Sequence, residues 1–397
     1  MTLLARDPRA PFSLMPSVLP LERRARGYDW VLIAAALALS LAGAVLVWAA
    51  TRDAARAQGA NPEGFLYRHL TNLAIAAVLM VVVSRCDARL LRLFGPIVYV
   101  VSLLGLAAVF VVGTTVNGAH AWIRLGGDLQ LQPSEFMKLG LVVGMAVLFA
   151  QRDAERRSCS EHARDEDASP TTSDVLLAMI LIAVPLMMVM LQPDLGSAMV
   201  LAAAAFGVLI AAGVRARWTI GLLLLTVLVA VLAVKGGLLA EYQVARFSSF
   251  THPGQDTQGA AYNVTQAHIA IANGGLFGTG LFDGPQTNGG FVPEQRTDFV
   301  FSVAGEEFGL LGGAALIGLY AVLCWRGMRI AADSERAGRL VAIGVVCWIA
   351  FQAFQNIGMN LGLMPVTGLP LPFVSYGGSS MFAQGLAIGL LQAVRRS

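Results

Sequence analysis

Charge is what this chain has least of. Only 13% of its 397 residues are Asp, Glu, Lys or Arg, about half the ~25% of an ordinary soluble domain, which excludes a water-exposed globular fold. Cysteine is scarce: Cys86, Cys159, Cys324 and Cys347 are spaced for neither a disulfide framework nor a metal site. His252 and His268 also lack metal-ligand spacing. The glycine-rich stretch Gly274-Gly-Leu-Phe-Gly-Thr-Gly280 does not match the GxxxxGK[ST] phosphate loop, so nucleotide hydrolysis has no support.

What is there is hydrocarbon: 56% of the residues are hydrophobic. Apolar runs long enough to span a bilayer fall near 29–50, 66–84, 93–113, 133–151, 174–192, 196–212, 217–235, 299–325, 340–363 and 378–394. The expectation is an all-α polytopic membrane protein of about ten transmembrane helices. Residues 1–28 form a basic cytoplasmic tail and 29–397 a single transmembrane domain. If the amino terminus lies inside, 20 of the 28 Lys and Arg residues fall on inner segments. That bias puts both termini in the cytoplasm and the large loop of about 236–298, between helices 7 and 8, outside. The net charge of +3 comes from this topogenic arginine and implies no nucleic-acid partner.

The polar inventory clusters on the outer segments. Phe291-Val-Pro-Glu-Gln-Arg-Thr-Asp298 runs from a polar loop into an apolar helix, so Asp298 sits where water meets lipid. There it is either a helix-start cap or a reactive carboxylate. Glu306 and Glu307 lie deeper, where a carboxylate costs roughly 2.5–3.5 kcal/mol and needs partners; Glu306 is the better second candidate. In Gln132-Pro-Ser-Glu135…Lys138, proline suits the first helical position. Glu135 and Lys138 share a face, as an intrahelical pair or as the charged lining of a polar cavity. Asp194, in Gln192-Pro-Asp-Leu-Gly196, caps a helix or lines the same space. Trp122 is a membrane-belt residue or, with Arg124, grips a sugar or phosphate. Residues 260–273 have the composition of an outer or interfacial helix. Three prolines and four glycines between Gly362 and Ser380 rule out a continuous helix there, and broken backbone at membrane depth must be buried in protein or line a cavity. Arg246, Gln266, Glu294, Thr297, Ser375, Tyr376 and Ser379 complete the side chains expected to bind substrate or line a cavity.

The motifs Val116-Asn-Gly-Ala with Trp122, Gln132-Pro-Ser-Glu…Lys138, Gln192-Pro-Asp-Leu-Gly, Thr297-Asp-Phe and the Pro365-to-Ser380 signature together resemble the SEDS family of shape, elongation, division and sporulation proteins. Gly358-Met-Asn-Leu-Gly-Leu-Met-Pro-Val-Thr-Gly is similar to the RodA branch; the division relative FtsW tends to read Pro-Thr-Lys-Gly there. The resemblance implies a peptidoglycan glycosyltransferase of the bacterial cytoplasmic membrane, joining lipid II into glycan strands for cell elongation and shape. Its implied partners are a class B penicillin-binding protein and other membrane proteins of the elongation machinery. Asp298 matches the family's essential acid, whereas Arg296 stands where relatives often have His. A divalent cation is left open as cofactor. A lipid II flippase, or the same polymerase used in division, are the rival readings. Small residues at Gly309–Gly318 and Ala342–Gly344 make spans eight and nine the expected docking face for the partner's helix.

Overall fold

A computed structural model describes residues 27–86, 88–116, 118–126, 129–159, 169–235 and 260–396. The amino-terminal tail and residues 236–259 of the large outer loop, Arg246 among them, lie outside the described residues. Helices α1 (Trp30–Ala57), α2 (Gly64–Ser84) and α3 (Ala88–Val112) lead into three short strands. Then come α4 (Pro133–Cys159), α5 (Thr172–Leu191), α6 (Leu195–Ala211) and α7 (Ala216–Lys235). The later part of the large loop holds α8 (Ala260–Gly274) and the single turn α9 (Pro285–Asn288), and beyond it lie α10 (Val300–Asp333), α11 (Arg336–Asn360) and α12 (Gly378–Arg396). Each apolar run expected from the sequence carries one of these helices. Among the described residues, seven of the helices (α1–α5, α10 and α11) are long and apolar enough to cross a membrane. Of the rest, α6 has 17 residues, and α12 carries Gln384, Gln392, Arg395 and Arg396.

The core lies between α4, α6 and α11, where Met137, Leu141, Met145, Val200, Leu201, Val208, Leu340, Val345 and Trp348 are buried. By contrast, α2 and α3 turn Val78, Val82, Val101, Leu104 and Val111 outward, a surface that suits lipid. The first and last helices are stapled together. The N–H of Asp29 donates to Gln392 Oε1 at 2.8 Å, and Gln392 Nε2 donates back to the Asp29 carbonyl at 3.1 Å. The buried Asp29 carboxylate caps α1 through Leu32 N and pairs with both Arg326 and Arg395. Burial disfavours its charge, yet these partners hold the carboxyl below its usual range.

Two features depart from the sequence reading. The segment expected only as an outer loop contains an antiparallel sheet in the order β1 (Thr114–Val116), β2 (Ala119–Gly126), β3 (Leu129–Leu131). Its strands are too short for a hydropathy window to register. The eighth apolar run is also not one straight helix. Gly309 breaks α10 with φ 65° and ψ −161°, and the glycine-rich loop after α8 fills the break. Thr279 and Gly280 N–H donate to the carbonyls of Glu306 and Glu307 at 2.9 and 3.1 Å; Leu310 and Leu311 N–H donate to Gly275 and Leu276 at 2.9 and 3.2 Å. The opened helix therefore recovers its hydrogen bonds from another strand of backbone, which a low-dielectric setting demands.

The small residues expected to receive a partner's helix divide: Gly309, Gly313, Ala342 and Gly344 are buried, whereas Ala314, Ala315 and Gly318 are exposed. A Cβ on Gly313 would meet the Phe301 ring at 3.3 Å, and one on Gly344 would strike Val142 and Val208; Gly318 alone of these three faces open space. Close approach is needed elsewhere, at α12 on α2, where a Cβ on Gly385 would come within 2.5 Å of the Ala76 carbonyl oxygen. Gly385→Leu should therefore overpack this contact by about 1–3 kcal/mol or more, lowering the thermal unfolding midpoint in detergent. Gly318→Leu should leave it unchanged.

Candidate functional site

The turn that carries Asp298 is wound about one carbonyl. The N–H groups of Thr297, Asp298 and Phe299 all point at the Glu294 oxygen, at 3.1, 3.1 and 3.3 Å. Glu294 itself has φ 52°, and its carboxylate accepts from the Thr297 hydroxyl at 3.0 Å. Phe299 holds the cap position of α10 without a side-chain bond, and Asp298 precedes it by one residue.

Three successive carbonyls of this turn are gripped from outside. Tyr376 N–H donates to Arg296 O at 2.9 Å, and the Ser375 hydroxyl to Thr297 O at 2.5 Å. Asn356 and Asn360 side-chain amides donate to Asp298 O at 2.8 and 3.1 Å. Asn360 Oδ1 also accepts from Ser302 N at 3.1 Å. Below the turn, Phe299 packs with Ala267 of α8, Val292, Met359 and Val366. The half-exposed Asp298 thus stands on a backbone fixed by two helices and by the Pro/Gly segment. Arg296 and Tyr376 are stacked on one ring: the guanidinium lies 4.7 Å from the Phe65 centroid, and Tyr376 meets it edge-on at 5.4 Å.

The Pro/Gly segment is held by amides of α11. Gln352, Gln355 and Asn356 donate to the carbonyls of Pro370, Pro365 and Leu369 at 2.9, 3.0 and 2.7 Å. From α12, Gln384 Oε1 accepts from Phe373 N at 2.6 Å. Gln352 also joins this segment to the expected ion pair. Lys138 donates to Glu135 Oε1 at 2.6 Å and to Gln352 Oε1 at 3.1 Å, with its ammonium 5.0 Å from the Trp348 ring centre. The Lys138 and Glu135 side chains are 0% and 2% exposed. They are brought together as expected, but in the packed interior rather than on an open cavity wall. Such a pair gives up its hydration and depends on these added hydrogen bonds.

The remaining expected residues fall in separate places. Asp194 caps α6 through Ser197 N at 3.0 Å, and its other oxygen accepts from Gln132 Nε2 at 2.9 Å. Ser379 accepts from Gln132 N and donates to Gln130 O, both at 3.0 Å, tying the small sheet to α12. Trp122 and Arg124 lie on β2 and Gln266 on α8. The Glu306 carboxylate is engaged by the segment that precedes the Asp298 turn. It accepts from Gln286 N, Thr287 N and the Thr287 hydroxyl at 2.9, 2.8 and 2.6 Å, which anchors α9. Among the described residues, no three His, Cys, Asp or Glu side chains are grouped to hold a metal ion.

The family of cell cycle proteins FtsW, RodA and SpoVE matches residues 29–397. The chain belongs to this family. Among its SEDS relatives, the peptidoglycan glycosyltransferase MrdB of Escherichia coli K12 is 33% identical, with 90% of each chain covered. A probable peptidoglycan glycosyltransferase FtsW of Geobacter metallireducens is 34% identical over 92% of this chain and 93% of its own. RodA of Thermus thermophilus has a solved structure with a TM-score of 0.65 and 31% identity, covering 93% of this chain and 97% of that one. A chain from a peptidoglycan synthase complex that coordinates polymerization and crosslinking gives a TM-score of 0.73 at 32% identity, over 93% and 98%. This SEDS chain is a multi-pass membrane protein.

Gln352, Asn356 and Asn360 were not singled out from the sequence, although their spacing of four along an apolar run puts three amides on one helix face. Asn356→Leu should leave the Leu369 carbonyl unpaired and cost about 1–3 kcal/mol. Lys138→Met strands a buried carboxylate and should cost about 3–5 kcal/mol. Combining it with Glu135→Leu should restore much of that loss. Thermal unfolding of the wild type, Asn356→Leu, the two single variants at Glu135 and Lys138 and their combination measures each effect, and strictly additive losses for the Glu135 and Lys138 changes would refute their coupling.

Proposed function

We propose that this protein is a peptidoglycan glycosyltransferase that polymerises lipid II at the outer face of the cytoplasmic membrane, with both termini inside. The carrying observation is the Asp298 turn, whose three consecutive carbonyls are clamped so that one carboxylate is presented from a rigid base. Preorganisation of this kind suits a general base. In the reaction a sugar hydroxyl of the acceptor attacks the anomeric carbon of the donor. The new C–O bond forms as the bond to the lipid pyrophosphate breaks, the pyrophosphate departs with that electron pair, and Asp298 takes the hydroxyl proton. The Arg296 guanidinium, carried two residues before Asp298, supplies positive charge to the departing group.

The RodA-like wording of 358–368 favours elongation as the setting. A class B penicillin-binding protein is the partner we infer, docking a single helix on the open face of α10 around Gly318. Gly318→Leu should then reduce co-purification with the partner while the protein stays folded; an unchanged complex would put the docking face elsewhere.

Purified protein in detergent with lipid II provides the direct test of activity. The wild type should make glycan polymer, which needs no bilayer and so separates polymerisation from flipping. Asp298→Asn should lose polymer by about 100-fold or more with an unaltered unfolding midpoint. Near-normal polymer from the folded variant would remove Asp298 from its role.

A further inference from the structure

At the end of α10 away from Asp298 lies a second polar feature. Asn360, which holds the Asp298 carbonyl, and Arg336, three residues past Asp333, are the two ends of α11, about 36 Å of helical rise apart against a hydrocarbon thickness of ~30 Å. The cleft there belongs to the opposite membrane surface. It encloses ≈ 220 Å³ and is lined by Arg326, Arg329, Ile330, Asp333, Ser334 and Arg395, room for about seven water molecules.

Its charges do not balance. Arg326 and Arg395 share the one buried carboxylate of Asp29, and a single negative charge cannot neutralise two guanidiniums. Arg329 adds a third, placed 4.9 Å over the Trp325 ring. Among the described residues of the cleft and its floor, the three guanidiniums meet the two carboxylates of Asp29 and Asp333, an excess of one positive charge. The Arg326 and Arg395 side chains keep 18% and 26% of their surface open, so their remaining donors reach the cleft. Planar guanidinium forks of this kind match phosphate oxygens.

Apolar surface adjoins the charge. Trp325 and Met328 are 52% and 46% exposed and lie three residues apart on the helix that carries Arg326 and Arg329. An indole and a thioether beside an arginine-lined cleft fit a molecule with an anionic head and hydrocarbon tails better than a free ion. We propose that this cleft binds the phosphate of an anionic phospholipid headgroup, in the leaflet opposite the Asp298 face. Occupancy would complete the charge balance where α1, α10 and α12 converge.

Native mass spectrometry of the full chain, released from micelles doped with phosphatidylglycerol and phosphatidylethanolamine of matched acyl chains, tests this. Phosphatidylglycerol should be retained in preference by about five-fold, the scale of one added basic contact at a lipid surface. Arg329→Gln, which leaves the Asp29 pairs in place, should abolish that preference. Arg217→Gln, an exposed arginine at the start of α7, should preserve it. Equal retention of the two lipids by the wild type, or an unchanged preference in Arg329→Gln, would overturn the site. An equal loss in Arg217→Gln would reduce the effect to general basic charge and also overturn it. Thermal protection by inorganic phosphate in lipid-free detergent, with none added by phosphatidylglycerol, would mark a soluble-anion site and reject the lipid.

Discussion

Hydrogen bonds from amide side chains to backbone carbonyls that lack a helix are what the rest of this structure depends on. Between Asn360 and Gly378 the chain gives up regular structure inside a largely apolar bundle, and every carbonyl it frees must find a donor. Gln352, Gln355 and Asn356 supply donors on one side, and Gln384 and Ser375 meet the freed N–H groups of Phe373 and Leu371 on the other. Asn356 acts in two places at once, because the amide nitrogen that meets Leu369 also meets Asp298. The broken segment and the Asp298 turn are in this way two sides of a single hydrogen-bonded layer. Its deeper edge is Gln352, which reaches the Lys138–Glu135 pair.

This layer gives different roles to residues that look alike in composition. Asp298 keeps its carboxylate at a half-exposed edge while its carbonyl is fixed. Glu306 commits its carboxylate to α9, and Glu135 faces a lysine in the dry interior. All are acids in or beside apolar helices, and their surroundings rather than their residue type set them apart. The break at Gly309 obeys the same demand for partners, with backbone rather than side chains repairing it.

Much of the helical layout was legible because hydrocarbon leaves a long, unambiguous pattern. Each expected apolar run holds a helix, and residues 260–273 form the helix expected of them. Glu135 and Lys138 were expected to pair on one helix face and do meet. What stayed hidden has a common cause. A glutamine or asparagine in an apolar run only lowers the hydropathy average, and its target is a carbonyl that every residue carries. Nothing in the sequence therefore marks Asn356 as the residue under Asp298. The helix break was equally silent, because Gly309 differs from neighbouring glycines only in its φ. The three-residue β1 and β3 are too brief to show a period, whereas the eight-residue β2 does alternate, with Ala119, Ala121, Ile123 and Leu125 set against His120 and Arg124; Gly344 could not reveal which neighbours it packs against.

The staple between the first and last helices sets an order on assembly. Asp29 begins the first helix to be made, yet its backbone and carboxylate are completed by Gln392 and Arg395, more than 360 positions later in the chain. Until α12 arrives, that carboxylate has, among the described residues, the Leu32 N–H and the Arg326 guanidinium to answer it. The bundle therefore closes like a clasp rather than growing like a stack, and its first helix reaches its native surroundings only when the last has been threaded into place.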